Sequence, residues 1–326
     1  AIAALGKRQR EMTGEFREFT QALLEAADGQ MDEMSKEEKS AYAFGLTIES
    51  SRWQSDWIKM MRGFDEIHRA LAEFDADPYL LNCPNGTVDL RTGELREYRQ
   101  GDYLAKMTSV EYDPDATCPQ WEKFLLDIQS NDQGMVDFLQ RGAGYSLTGD
   151  PKEECLMICH GVGRNGKGTF LNTLLAILGD YAGSCLMSTF EEKRNDPGAN
   201  NDLAMLKGLR FVVGSETKEG SRLNEQLVKQ VTGRDRLRAR FLFSEFFEFV
   251  FEGKIWLMVN HLPSIPSTDE GIWSRIRIVP FLRYFKPEER DPLLKEKLMA
   301  EAKGILAWAV RGCLAWQKDG LNPPAS

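Results

Sequence analysis

The stretch Glu154-Cys-Leu-Met-Ile-Cys-His-Gly-Val-Gly-Arg-Asn-Gly-Lys-Gly-Thr169, with the run from Phe170 to Leu178 behind it, decides how the chain reads. Cys155 to Cys159 is a short apolar run of the kind that forms a buried strand, and Phe170, Leu171, Leu174, Leu175 and Leu178 recur at helical spacing. Glycines at 161, 163, 166 and 168 separate the two. Such a loop turns tightly and directs its N–H groups inward, and the following helix presents its positive end to the same spot. Lys167 adds a full charge there. Gly161, Gly163, Arg164, Asn165, Gly166, Lys167, Gly168 and Thr169 are therefore the candidates for holding the polyphosphate of a nucleotide. One position departs from the usual pattern: Gly168 stands where a Ser or Thr hydroxyl normally holds Mg²⁺, and Thr169 follows one place later.

Composition sets the frame. The chain has 326 residues, 42% of them hydrophobic, which predicts two or three globular units. The longest apolar candidate, Gly304 to Val310, is far short of the ~18 residues of a membrane span, so no membrane partner is expected. Ala1 to Arg10 lacks an apolar signal core and does not begin with Met, which reads as a chain cut from a longer one. The six cysteines form no Cys-x-x-Cys pair, and this points to reduced cytosol rather than to a zinc site or a disulfide framework. Net charge is −9, against a generally basic nucleic-acid surface, yet residues 207–240 carry nine Lys/Arg and four Asp/Glu. A narrow channel for DNA needs only such local positive charge.

Outward from the loop, residues 1–75 read as a helical region, with Trp53 and Trp57 as core and His68 as an ordinary helix residue. Residues 76–117 change to short β-prone runs turned at Asn85-Gly86 and Thr92-Gly93, a small β-rich subdomain. Helices are expected from Pro119 to Ile128 and from Gly134 to Gly142, within a third region, 118–326, that holds the phosphate loop. The polar run from Glu191 to Asn201 reads as a loop. Leu209 to Val213 is expected to be a strand, and Glu216 just past it is placed to bind Mg²⁺ or orient an attacking water, or else is a solvated strand end.

Leu223 to Val231 is amphipathic, and beyond it Arg236, Arg238 and Arg240 alternate, which places them on one strand face. Like charges in such a row call for an anion, an acidic surface or solvent. The phenylalanines interleaved at 241, 243, 246, 247, 249 and 251 read as a packed hairpin core. Lys254 to Asn260 is a further buried strand ending in an amide, and ligands sit at such carboxyl ends in open α/β sheets, so Asn260 either faces a phosphate or forms a turn. The run from Ile272 to Phe281 is expected to be a strand with Arg275 and Arg277 on one side. Residues 286–317 read as helical, with a Leu/Ala/Trp core stripe.

Taken together these motifs resemble the superfamily 3 helicases, specifically the helicase part of phage and plasmid primase-helicases. The resemblance runs from about Pro78 to Trp316 and covers the phosphate loop and the second motif Arg210-Phe-Val-Val-Gly-Ser-Glu216. It continues through Lys229-Gln-Val-Thr-Gly-Arg-Asp-Arg-Leu-Arg-Ala-Arg240, Asn260 at the sensor position, and Trp273-Ser-Arg275 at the arginine finger. It implies an α/β fold with an AAA+-like P-loop ATPase core built on a parallel sheet. It further implies a hexameric ring around single-stranded or forked DNA that hydrolyses ATP with Mg²⁺, moves 3′ to 5′, works beside a primase, and acts in the cytoplasm of a bacterial host. On that resemblance Lys167 holds the β,γ-phosphates, Glu216 activates water and serves the metal, Asn260 positions the water, and Arg275 completes the neighbour's site. Arg238 and Arg240 are the DNA-contact candidates, because the expected hairpin tip, Ser244-Glu245, is not basic. Two other readings stay open: a nucleotide kinase, which shares Gly-Lys-Gly-Thr, and a DNA-binding assembly factor that uses ATP as a switch.

Overall fold

The computed structural model describes residues 69–192, 201–215, 220–241 and 244–324, with isolated positions between 35 and 60. The chain divides into two compact units, Ala1–Phe74 and Asp75–Ser326. In the first, Trp53, Trp57 and His68 lie outside the described residues. The helical reading across residues 67–74 is corrected at its described end. Ala70 is extended and only Leu71–Glu73 form a 3-10 turn. The Glu73 carboxylate accepts the Ala70 N–H at 2.8 Å, and the turn buries no residue that would extend it into a helix.

The second unit opens with an antiparallel meander of β1 (Leu80–Cys83), β2 (Gly86–Asp89) and β3 (Glu94–Arg96), turning at Asn85-Gly86 and Thr92-Gly93. Then come α1 (Pro119–Ile128), with proline in its first turn, and α2 (Gln133–Tyr145), capped by the Asp132 side chain accepting the Met135 N–H. The centre is built from β4 (Leu156–His160), α3 (Lys167–Leu178), β5 (Ala182–Leu186), α4 (Asn201–Ala204), β6 (Phe211–Ser215) and α5 (Glu225–Thr232). A hairpin, β7 (Arg236–Ala239) with β8 (Phe247–Val250), precedes β9 (Lys254–Val259), α6 (Glu270–Trp273), β10 (Ile276–Pro280), α7 (Leu294–Ala300) and α8 (Ala302–Asp319).

β10, β4, β9, β6 and β5 lie side by side in that order as one all-parallel sheet. The expected α/β class, with a glycine-rich loop between a strand and a helix of a parallel sheet, is what the chain adopts. Both faces are covered, as parallel sheets require. Met157, Cys159, Val213 and Trp256 face one core, where Trp121 stacks on Phe170 at 5.6 Å and Phe170 meets Trp256 at 5.9 Å. Leu156, Ile158, Val212 and Leu257 face the other, with Val228 and Val231 of α5.

Three departures from expectation stand out. β5 is absent from the sequence reading, because Ala182-Gly-Ser-Cys-Leu186 is a half-exposed edge strand with no apolar alternation. The strand expected at 209–213 is shifted to Phe211–Ser215, since Arg210 turns its side chain into a buried polar corner. The run 272–281 is not one strand: Ile272 belongs to α6, and Arg275 precedes β10.

That polar corner joins the meander to the sheet. The buried Arg210 guanidinium donates to the carbonyls of Leu80 at 2.9 Å, Leu147 at 3.0 Å and Asp77 at 3.3 Å, and lies over the Tyr181 ring. On the adjacent β9, the Lys254 ammonium donates to Thr148 O at 2.5 Å, Thr148 Oγ1 at 3.1 Å and Glu252 O at 3.2 Å. Burial holds the Arg210 guanidinium below its usual range and pushes Lys254 down to about 7.

Candidate nucleotide site

The loop between β4 and α3 is held from both flanks. Gly161 N–H donates to Val259 O of β9 at 3.3 Å, while Asn165 Nδ2 donates to Phe281 O, just past β10, at 2.9 Å. Phe285 N–H reaches Arg164 O at 3.0 Å. The loop therefore sits where β4 lies between β9 and β10, at the carboxyl ends of three adjacent parallel strands, which is where ligands bind in open α/β sheets. A Cβ on Gly161 would stand 2.2 Å from Phe281 O, so that position admits only glycine. Gly166 has φ of +87° and caps α3.

The first intrahelical bond of α3 runs from Phe170 N to Gly166 O, so the N–H groups of Lys167, Gly168 and Thr169 lie ahead of the ladder. Lys167 is only 3% exposed, and its ammonium donates to Gly161 O and, at 3.3 Å, to Asn260 Oδ1. The same Asn260 oxygen accepts Gly163 N–H at 3.4 Å. Burial lowers the lysine pKa from its ordinary value. Among the described residues no carboxylate pairs with this cation. A buried ammonium resting on a carbonyl and an amide, beside a helix N-terminus, fits a polyphosphate.

Asn260 is thus brought to the phosphate loop. Ser215 ends β6 in register with Met258, and Glu216 lies outside the described residues. Beside the loop opens a cavity of about 490 Å³, lined by Phe124 and Asp127 of α1, Arg164, Thr169, Phe285 and Arg290. Sequence reasoning missed α1 and Arg290 here, since only the fold carries those segments to the loop.

Arg275 is not brought to it. Its carbonyl accepts Leu156 N–H at 2.8 Å at the start of β4, so about 3.3 Å of rise per residue along that strand puts it roughly 13 Å away. Its guanidinium donates to Gly271 O at 2.6 Å and to Glu154 Oε2 at 2.8 Å, which supplies an anion from the same chain. Arg277 turns back onto the carbonyls of Ser274 and Ile276.

On the hairpin, Arg236 and Arg238 do share the exposed face of β7, and the row is relieved by Glu248, opposite Arg238 and 3.6 Å from Arg236. The packed-core reading of the aromatics holds for Phe249 and Phe251, which are buried. It is corrected for Phe241 and Phe246, which are 44% and 46% exposed beyond the paired segment, where strand alternation no longer turns them inward. Phe243 lies outside the described residues. The guanidinium groups of Arg238 and Arg240 lie over the Phe246 ring at 4.5 and 4.6 Å.

Residues 7–130 match the family described as D5 N terminal like, and residues 159–275 match a family of unknown function, DUF5906. Among individual proteins, "Putative helicase L207/L206" of Acanthamoeba polyphaga mimivirus is 27% identical over 93% of this chain and 34% of its own length. The protein named "Putative primase C962R" of African swine fever virus is 25% identical over 69% of this chain and 23% of its own. This chain spans about a third or less of the length of these curated relatives. Among solved structures, the apo NrS-1 C-terminal region aligns with a TM-score of 0.49 and 14% identity, over 66% of this chain and 54% of that one. Among the described residues no helix is long and apolar enough to cross a membrane.

Proposed function

We propose that this chain, a relative of the superfamily 3 helicases and primase-helicases, is the ATP-hydrolysing motor of a DNA helicase that serves viral genome replication. The observation that carries this reading is the meeting of Lys167, Gly163 and Asn260 at the carboxyl ends of β4 and β9. ATP fits as the ligand, with its phosphates on the loop amides and Lys167 and its nucleoside towards the cavity beside Thr169. Lys167 spreads its charge over the transferring phosphoryl oxygens. Asn260, already hydrogen-bonded to that lysine, holds the attacking water, and Glu216 takes its proton. Mg²⁺, when bound with the nucleotide, supplies neutralising charge on the phosphate oxygens.

Arg275 lies a strand's length from its own loop, which supports a role in a neighbouring subunit's site within a ring. To act there it exchanges Glu154 for phosphate. Translocation runs 3′ to 5′ on single-stranded DNA, with Arg238 and Arg240 on the hairpin as contacts and a primase as partner. Unwinding of forked DNA bearing either a 3′ or a 5′ arm tests this, with Lys167→Ala beside it. Unwinding that needs the 3′ arm and vanishes in the variant is the expected result. ATP hydrolysis and DNA binding without unwinding favour a nucleotide switch. Absence of nucleotide binding overturns the reading.

A further inference from the structure

Two side chains border the space that a hydroxyl-bearing residue at position 168 would fill. A Cβ built there would lie 3.6 Å from Met258 Sδ and 3.8 Å from Asn172 Nδ2, both ordinary contacts. The residue is helical, so neither crowding nor backbone conformation imposes glycine. Asn172 is four residues on, on the same face of α3, and helical side chains lean towards the helix N-terminus. Its amide therefore borders the space that a serine side chain at 168 would fill. Met258 pairs in register with Ser215, so this space faces the carboxyl ends of β6 and β9.

Thr169 does not share that space, because it lines the cavity with Phe124, Asp127 and Arg290. Of the two groups that border the Gly168 space, the Met258 thioether is a soft donor and unsuited to Mg²⁺. The Asn172 amide carries a hard carbonyl oxygen, and rotation about its Cβ–Cγ bond exchanges that oxygen with the nitrogen. Mg²⁺ takes most of its ligands from water and phosphate, with one or two from protein, so one amide oxygen completes such a set.

We propose that Asn172 supplies, from one helical turn along, the side-chain oxygen towards nucleotide-bound Mg²⁺ that Gly168 cannot. This rests on the nucleotide-site reading above. The test is the affinity for a fluorescent ATP analogue in Mg²⁺ and in EDTA, measured on the full chain. Paramagnetic resonance of Mn²⁺ added with the analogue reports the metal directly. Asn172→Ala is expected to lower the Mg²⁺-to-EDTA affinity ratio roughly 10-fold and to alter the Mn²⁺ spectrum. Adding Gly168→Ser to that variant is expected to restore both, which loss of folding could not do. An unchanged ratio in Asn172→Ala, or a ratio lost in Thr169→Ala and kept in Asn172→Ala, overturns the assignment while leaving the nucleotide site standing. Failure of the unaltered chain to bind the analogue in either medium brings down the nucleotide site and this inference together.

Discussion

The Lys167 ammonium donates to the Asn260 side-chain oxygen at 3.3 Å, so the cation of the phosphate loop and the end of the neighbouring strand share one hydrogen bond. Removing either partner has a different consequence. Lys167→Ala removes the charge that, on the proposed function, receives the phosphates, and nucleotide binding is expected to be lost. Asn260→Ala leaves that charge in place but removes its hydrogen-bond partner and, on the proposed mechanism, the group that holds the water. A fall in kcat of roughly 100-fold with little change in KM is expected, on the scale of losing one preorganised polar group. Steady-state phosphate release measures both. Equal loss in KM and kcat for Asn260→Ala would argue for a simple turn residue.

Two glycines of the loop respond oppositely to a methyl group. At Gly161 the added carbon would meet a main-chain oxygen at 2.2 Å, and main chain cannot step aside. Gly161→Ala is expected to destabilise the fold by roughly 2 kcal/mol or more. At Gly168 the same carbon finds contacts of 3.6 and 3.8 Å on a helix, so Gly168→Ala is expected to stabilise by about 0.5–1 kcal/mol. Urea unfolding of the two variants distinguishes them.

Legibility in the sequence followed how local each signal is. Pro119 to Ile128 was readable to the residue because proline at the first turn and a periodic apolar face are both local. The loop glycines and Asn260 were readable because a strand-to-helix turn and a strand end each have their own residue chemistry. β5 was not, since none of its residues is fully buried and Ala182-Gly-Ser-Cys-Leu186 carries no apolar alternation that would mark a strand. Nor was the partner of Arg275: Glu154 is far away in sequence, and only the pairing of β10 with β4 brings it near. Phe246 carries no sequence mark of exposure, because its neighbours Phe247 and Phe249 follow the same pattern and turn inward to different degrees.

Lys254 makes stability depend on pH with a definite sign. Its pKa falls from 10.5 to about 7 on folding, through burial first and the neighbouring Arg210 charge second. A lowered lysine pKa means that the unfolded chain binds more protons between those values, so this group's contribution makes stability rise with pH from about 7 to 10.5. Below pH 7 its destabilising effect is fully present, on the order of 5 kcal/mol. The buried thiols of Cys83 and Cys155, raised to about 11 and about 12, act in the opposite direction above the usual thiol range. The difference between the chain and Lys254→Met, in urea unfolding at pH 6.5 and 9, isolates the lysine. That difference is expected to change with pH by a few kcal/mol; a constant difference would show that the ammonium stays charged throughout.

The hairpin gives the last expectation. Phe246 presents a 46% exposed ring whose centroid lies 4.5 and 4.6 Å from the guanidinium groups of Arg238 and Arg240, and Phe241, 44% exposed, packs on Phe247 at 5.7 Å. Exposed aromatics with adjacent cations bind single strands by stacking on bases while the charges meet phosphates, and this tolerates any sequence. Phe246→Ala is expected to weaken single-stranded DNA binding by about 1–3 kcal/mol without changing its salt dependence. Arg238→Ala and Arg240→Ala are each expected to weaken binding and to reduce the slope of log affinity against log salt by about 0.7, the contribution of one phosphate contact on a single strand. The two classes of variant thus separate in a salt titration followed by fluorescence anisotropy. If Phe246→Ala changes the slope as the arginine variants do, the ring acts only by holding the guanidinium groups in place. If none of the three weakens binding, the hairpin does not touch DNA.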